Sequence, residues 1–291
     1  MLLSSRFSIK PLCVALFALL FTMGPTLSLA VEPLTLGVFP RRNASVTYTL
    51  FSPLASYLET HLDRPVRLVT SKDFKSFWKH VESQKLDIVH FNQLHYLRAH
   101  TQFGYNALVM NEEFGAGTIR GALVVRRNTG IHTIDDLRGK TIIFGGGPSA
   151  MMSYVVPMNM LKNAGITSKD FNTRFAINPP NAVLSLAHHQ AEAAGTGHVI
   201  LDLPTVKKRI DTRRLKILAQ SAPLPHLPWA TRQDMPKEIR DQLRSIFTTM
   251  KQDEEGRMVL KHARVTNFIS TDDQAYTVHR AIVKETLGEA H

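Results

Sequence analysis

Arginine and histidine side chains stand at several points where the chain could contact a small polar ligand. Arg41 and Arg42 follow the first predicted strand. Their guanidinium groups either donate paired hydrogen bonds to an anion or form part of a solvated loop. His95 and His198 lie on predicted loops, where an imidazole can bind a ligand or a metal ion. His90 lies within a strand, and we expect it to be a buried histidine with satisfied hydrogen bonds.

A second group of candidate binding residues follows a glycine-rich turn. Gly145–Gly147 lack the Lys-Ser/Thr pair of a nucleotide-binding loop, so a nucleotide site is not expected. The turn leads into a predicted helix that begins near Ser149, Met151, Met152 and Ser153. Free backbone N–H groups at a helix start favour an anion. Methionines at that place either pack in the interior or line an apolar or soft-ligand pocket.

These residue types do not indicate catalysis. No set of nucleophile, base and orienting group and no paired-carboxylate motif stands out along the chain. No H-x-x-x-H or C-x-x-C spacing supports a metal site. A soft metal such as copper, a metal complex, or a solute with a thioether or heterocycle remains an alternative ligand for the histidines and methionines. We expect a binding protein that is not an enzyme and has no cofactor.

The beginning of the chain predicts export. A short apolar run at 12–23 follows two basic residues, and Ser28–Ala30 offers the small residues that signal peptidase accepts. We predict a cleaved signal peptide over 1–30 and a periplasmic protein. Cys13 is the single cysteine, so the mature chain has no disulfide. The formal net charge is +11, but export argues against nucleic acid as a partner.

Hydrophobic patterns predict the elements that hold these residues in place. In the first part of the chain, alternating apolar strands are separated by segments with helical spacing, which indicates a parallel sheet with helices on its faces. A second series of strands and helices follows, and the end of the chain is helical. The predicted strands are 34–39, 66–70, 86–91, 119–126, 140–144, 175–177, 193–200 and 215–219. The main predicted helices are 150–164, 181–190, 237–251, 254–262 and 272–289.

This order predicts two α/β domains joined by two crossing strands. One domain comprises 31–118 together with 221–291, and the other comprises 119–220. Ligands bind to such sheets outside the carboxyl ends of the strands. The loops expected to face a cleft between the domains are 39–45, 70–74, 91–95 and 145–153.

Six short motifs occur in order along the chain. They are Ser52–Glu59, Leu86–Phe91 with Tyr96, Leu137–Lys140 with Phe144, Tyr154 with Pro157, Leu224–Pro228, and Phe268 with Asp272 and Tyr276. In this order they resemble the motifs of the PhnD-like phosphate, phosphite and phosphonate-binding proteins of ABC transporters. The resemblance covers nearly the whole mature chain.

The resemblance implies an α/β fold of the type II periplasmic binding protein class, with a ligand cleft between two domains joined by hinge strands. It implies a periplasmic solute-binding protein that closes on a small anionic or polar molecule and delivers it to an ABC permease in the inner membrane. We expect a monomer that does not bind nucleic acid. Docking of the loaded protein on a membrane receptor or histidine kinase is the alternative role.

Several site residues that the resemblance implies are replaced here. The family's Ser-Thr-Ser run stands as Ala150–Met152, its Gly-Pro pair stands as Asn92–Gln93, and Gly195–His198 occupies the place of a ligand-binding carboxylate. Losing three hydroxyl donors weakens the binding of a charged anion. We therefore expect a ligand other than a plain phosphonate. The candidate ligand-binding residues are Phe39, Arg41, Arg42, Phe74, Asn92, Gln93, His95, Ser149, Met151, Met152, Ser153, Tyr154 and His198.

Overall fold

A computed structural model describes residues 32–291, so the predicted signal peptide lies outside the described residues. The strands are β1 (Leu34–Val38), β2 (Val66–Thr70), β3 (Ile88–His90), β4 (Asn106–Glu112), β5 (Thr118–Ile119), β6 (Gly121–Arg126), β7 (Thr141–Gly145), β8 (Asn172–Ala176), β9 (Ala193–Gly197), β10 (Leu215–Gln220), β11 (Leu224–Pro225), β12 (Pro228–Thr231) and β13 (Asn267–Ser270). The α-helices are α1 (Ala44–Leu62), α2 (Phe74–Glu82), α3 (Gln93–Phe103), α4 (Val156–Asn163), α5 (Pro179–Ala187), α6 (Pro204–Lys207), α7 (Lys237–Thr249), α8 (Glu254–Ala263) and α9 (Thr277–Leu287).

The first sheet has the strand order β13-β4-β12-β3-β1-β2. β1 runs parallel to β2 and β3, whereas β12 runs antiparallel to both β3 and β4. The carboxyl ends of β1, β3 and β4 therefore lie at one edge of the sheet. Helices α1, α7 and α8 supply Leu54, Phe247 and Leu260 to a core around the buried Trp229. The apolar spacing of these helices accounts for the face that each one buries.

The second sheet has the strand order β10-β6-β9-β7-β8. β7 is parallel to β8 and β9, and β6 is antiparallel to β9 and β10. Apolar side chains cover both faces of this sheet, with Phe144 and Leu161 in one core and Val183 and Leu186 in the other. The central strands β6 and β7 contain continuous apolar runs because both of their faces are buried, whereas the edge strand β8 is largely exposed.

The chain passes between the sheets at a short antiparallel ribbon. β5 pairs with β11 there, with Leu224 opposite Ile119. The two sheets belong to one compact unit spanning 33–291. Two sheets with helices packed against them, connected in this way, confirm the predicted α/β fold class. The domain boundaries at 118/119 and 220/221 stay a prediction.

Three strands of the first sheet were not anticipated from the sequence, namely β4, β12 and β13. Each pairs antiparallel with a strand that is distant in the chain, and a pairing over that distance is not visible in the local pattern. Among the described residues, no helix combines the length and apolar character that crossing a bilayer requires.

Three helix predictions differ from the structure in detail. The helix predicted over 272–289 is α-helical only at Thr277–Leu287, after a 3-10 turn at Gln274–Tyr276. The helix predicted over 150–164 begins with a π-helical turn at Met151–Val155, and only Val156–Asn163 is α-helical. The helix predicted over 181–190 spans Pro179–Ala187 instead. Its start is earlier because proline is favoured in the first turn, after the capping side chain of Asn178.

Candidate functional site

Aromatic side chains line the carboxyl edge of the first sheet. The backbone N–H of Phe39, just after β1, donates a hydrogen bond to the carbonyl of His90 at 3.1 Å. The ring of Phe39 lies 5.1 Å from the ring of His90 and 6.2 Å from that of Phe74, measured between centroids. Two of the predicted site residues, Phe39 and Phe74, are therefore brought together.

His95 lies inside this aromatic group. Its imidazole stacks on Phe74, with centroids 4.9 Å apart and planes inclined by 16°, and Trp78 lies 5.7 Å away. Burial lowers the pKa of His95 to about 3, so the ring is neutral at neutral pH. Its Nδ1 atom has no hydrogen-bond partner among the described residues. In this conformation, His95 packs in the interior.

His90 fulfils the expectation of a buried histidine. Its Nδ1 lies 3.3 Å from the carbonyl oxygen of Pro228, and its ring stacks on Trp229 at a centroid distance of 4.3 Å. The carbonyl can only accept, so the proton of the neutral ring resides on Nδ1. Burial lowers the pKa of His90 to about 3.

The glycine turn, residues 145–149, leads into the π-helical turn that carries the methionine pair. Met151 is 1% exposed and Met152 is 9% exposed. Both belong to an apolar cluster that also contains Phe39 and Phe91 from the first sheet. We call it the shared apolar cluster. The two methionines thus pack between elements of the two sheets.

The serine and tyrosine after the methionines are also engaged. The hydroxyl of Ser153 is buried and donates a short hydrogen bond to the carbonyl of Gly145. The ring of Tyr154 lies 5.0 Å from that of Phe144 and 5.2 Å from that of Phe175. Both side chains therefore contact the second sheet.

Two polar side chains at the start of α3 reach across to other elements. The side-chain amide of Asn92 donates to the carbonyl of Ser149 at 3.2 Å, while its oxygen accepts from the backbone N–H of His95 at 2.8 Å. Gln93 is buried and donates from Nε2 to the carbonyl of Pro225 at 3.2 Å. Three predicted site residues, Asn92, Gln93 and Ser149, therefore lie where the two sheets meet.

His198 directly follows β9, and its side chain accepts a backbone hydrogen bond near the ribbon between the sheets. The backbone N–H of Arg120 donates to His198 Nδ1 at 3.2 Å. Partial burial lowers the pKa of His198. Within residues 32–291, no group of three histidine, cysteine, aspartate or glutamate side chains is arranged to hold a metal ion.

The two arginines after β1 have different surroundings. Nη1 of Arg41 lies 2.9 Å from Oε1 of Glu113, which directly follows β4. Burial acts to raise the pKa of Glu113, but the charge of Arg41, followed by that of His226 and by hydrogen bonds from Arg41 and Asn111, outweighs it and brings the pKa to about 2. Arg42 is half-buried and lines a small cavity together with Arg264. Sequence analysis missed Glu113 because the strand before it was not predicted, and no local signal marks Arg264.

Comparison with known proteins agrees with this architecture. A family model described as "ABC transporter, phosphonate, periplasmic substrate-binding protein" matches residues 36–276. A binding protein component of an ABC phosphonate transporter from Pseudomonas aeruginosa is 17% identical, with coverage of 88% of this chain and 87% of that chain and a TM-score of 0.74.

Two further solved structures have similar folds. PhnD1 from Prochlorococcus marinus, in complex with methylphosphonate, is 18% identical over 87% of this chain and 98% of that chain, with a TM-score of 0.74. A Xanthomonas citri protein bound to ATP is 20% identical over 88% of this chain and 96% of that chain, with a TM-score of 0.72. By its match to the family model, the chain belongs to the phosphonate-type periplasmic substrate-binding proteins of ABC transporters.

Proposed function

We propose that this protein is the periplasmic receptor of an ABC importer and that its solute is not a plain phosphonate. Membership in the family supports the import role and the periplasmic location. One observation carries the proposal about the solute. Met151 and Met152 stand where the Ser-Thr-Ser run of the family is expected, and both are buried in the shared apolar cluster.

The remaining hydroxyl beside the methionines does not replace the missing donors. Ser153 has one hydroxyl proton, and it is donated to the carbonyl of Gly145. Hydrogen bonds to charged groups contribute about 1.5–3 kcal/mol each, and three such donors are missing. A plain phosphonate would therefore bind here more weakly by several orders of magnitude.

The mechanism that we propose is closure of two domains, 31–118 with 221–291 and 119–220, around the solute. The ribbon of β5 and β11 supplies two short strands that can bend as a hinge. The bond from Asn92 to Ser149 is one that closure would form. A solute that binds the closed form more tightly drives this change, and the permease recognises the closed form. The protein acts as a monomer and performs no catalysis.

Calorimetric titration of the purified protein with phosphate, phosphite and methylphosphonate tests the proposal. PhnD1 from Prochlorococcus marinus, whose structure holds methylphosphonate, provides the positive control in the same buffer. We expect binding heat and a raised melting temperature for PhnD1, and neither for this protein at millimolar ligand. Micromolar binding of any of the three anions would contradict the proposal. A screen of periplasmic metabolites by melting temperature would then identify the solute.

A further inference from the structure

A small cavity lies at the carboxyl edge of the first sheet, where α1 approaches the end of α8. About 10 Å³ of it is open to the centre of a water molecule, which is room for about one water molecule. Apolar residues of β1 and α1 form part of the wall. The polar residues that line it are Arg41, Arg42, Thr47, His90, Asn111, Glu113 and Arg264.

The charges around the cavity do not balance. Arg41 and Glu113 form an ion pair at 2.9 Å and largely cancel each other. Neither Arg42 nor Arg264 has a side-chain hydrogen bond or ion pair with any other residue in 32–291. Asn111 is already engaged, since it accepts from the indole of Trp229 at 2.8 Å and donates to Glu113 at 3.1 Å. Arg42 is half-buried and Arg264 is exposed to water, so both positive charges are available to an external partner.

The surroundings of Arg42 make an anionic partner favourable. Burial, followed by the charges of Arg41 and Arg264, lowers the pKa of Arg42 to about 10, so the group is still protonated at neutral pH. A guanidinium that has lost much of its water without gaining a protein partner raises the free energy of the folded state. An anion between Arg42 and Arg264 would offset that cost. The start of α1, at Ala44, adds the positive end of a helix dipole nearby.

We propose that Arg42 and Arg264 bind a carboxylate group of the transported solute in this cavity. The planar guanidinium matches a carboxylate with two parallel hydrogen bonds. The cavity has room for about one water-sized atom, which suits a planar carboxylate that inserts one oxygen better than a tetrahedral phosphate with four oxygens. The claim that the carboxylate belongs to the transported solute rests on the proposed function. The claim that Arg42 binds an anion does not.

The test uses acetate as the probe and acetamide as its uncharged counterpart. In ¹⁵N-labelled protein, the Nε–Hε signal of Arg42 is assigned by its loss in the Arg42→Gln variant, and that of Arg264 by its loss in Arg264→Gln. We expect saturable shifts of both signals with acetate at millimolar concentration and no saturable shift with acetamide. Phosphate at the same ionic strength should bind at least about tenfold more weakly than acetate, because its four tetrahedral oxygens do not fit a cavity with room for about one water molecule.

The variants test which arginines are responsible. Arg42→Gln and Arg264→Gln should each weaken acetate binding about tenfold or more, and Arg42→Lys should retain part of it because the charge remains. Arg67→Gln is the matched control, since Arg67 is an exposed arginine of β2 that does not line the cavity. It should bind acetate like the unchanged protein. Circular dichroism and melting curves establish that each variant is folded.

Several outcomes would overturn the inference. They are shifts that grow linearly with acetate, equal effects of acetate and acetamide, or acetate binding that survives Arg42→Gln. If phosphate binds as tightly as acetate, the cavity is a general anion site and the assignment to a carboxylate is wrong. Failure here is separable from failure of the proposed function, because the phosphonate titration is repeated in Arg42→Gln, in which this cavity lacks its half-buried guanidinium.

Discussion

The side-chain amide of Asn92 donates a hydrogen bond to the backbone carbonyl of Ser149, with 3.2 Å between nitrogen and oxygen. This contact joins the start of α3, on the first sheet, to the glycine turn of the second sheet. The same side chain caps α3 through its oxygen. One residue therefore stabilises a helix and connects the two sheets, and substitutions can separate these roles.

Asn92→Ser should keep the helix cap and lose the contact with Ser149, whereas Asn92→Ala should lose both. We expect Asn92→Ala to lower the free energy of unfolding by about 1 kcal/mol more than Asn92→Ser, since that is the usual value of a capping side chain. Urea denaturation of the three proteins measures the difference. Equal stability of the two variants would show that the cap contributes nothing.

Met151→Ala should destabilise the protein strongly because Met151 is only 1% exposed and lies in the shared apolar cluster. Removing a buried methionine side chain costs about 2–5 kcal/mol. Met258→Ala is the matched control, since Met258 is 59% exposed on α8, and it should have almost no effect. Urea denaturation provides the measurement. A small effect of Met151→Ala would mean that this side chain faces an open cleft in solution.

Acid should remove stability because buried histidines are neutral in the folded protein. Burial lowers the pKa of His90, His95 and His279 to about 3. The pKa of histidine in an unfolded chain is about 6.5. Between these values the unfolded chain binds protons that the folded chain does not, so the free energy of unfolding falls as the pH falls from about 6.5 towards 3.

His95→Phe should make this loss less steep, because phenylalanine fits the aromatic surroundings and cannot be protonated. The reduction in slope should reach at most about 1.4 kcal/mol per pH unit. Urea denaturation between pH 7 and pH 4.5 measures it, with the exposed His132 changed to phenylalanine as the control. An unchanged slope in His95→Phe would contradict the burial of His95.

Glu113→Gln separates the stability of the first sheet from the binding of anions. The change removes the partner of Arg41 and should cost about 1–2 kcal/mol, less than a wholly buried pair, because the side chain of Arg41 is 37% exposed. It also makes the cavity more positive, so acetate should bind more tightly than in the unchanged protein. Melting curves and the acetate titration measure the two effects, and weaker acetate binding would contradict the electrostatic reasoning.

Much of the fold was predictable because it depends on local patterns. The parallel strands β1, β2 and β3 each lie beside a helix in the chain, so their alternation with helical segments was visible in the sequence. The cap of α2 is equally local, since the carboxylate of Asp73 accepts from the backbone N–H of Ser76. Such contacts span only a few residues.

The candidate site was harder to predict because it depends on contacts between distant residues. Arg41 pairs with Glu113, which is 72 positions away, and the two meet only because β4 is placed in the first sheet by antiparallel pairing with β12. That the helix start at Met151 departs from the family's pattern stays a prediction. The local pattern did not reveal that its side chains join a cluster shared with Phe39.

Two glycines explain how closely the π-helical turn lies on the second sheet. A Cβ atom at Gly195 would come within 2.5 Å of the carbonyl oxygen of Ser153, and one at Gly121 within 3.1 Å of that of Met152. The backbone of the turn is thus seated directly on β6 and β9. Exchanging the methionines for hydroxyl residues would bury those hydroxyls instead of presenting them to a solute. The position of the main chain, as well as the identity of the side chains, therefore decides what this turn can present to a solute.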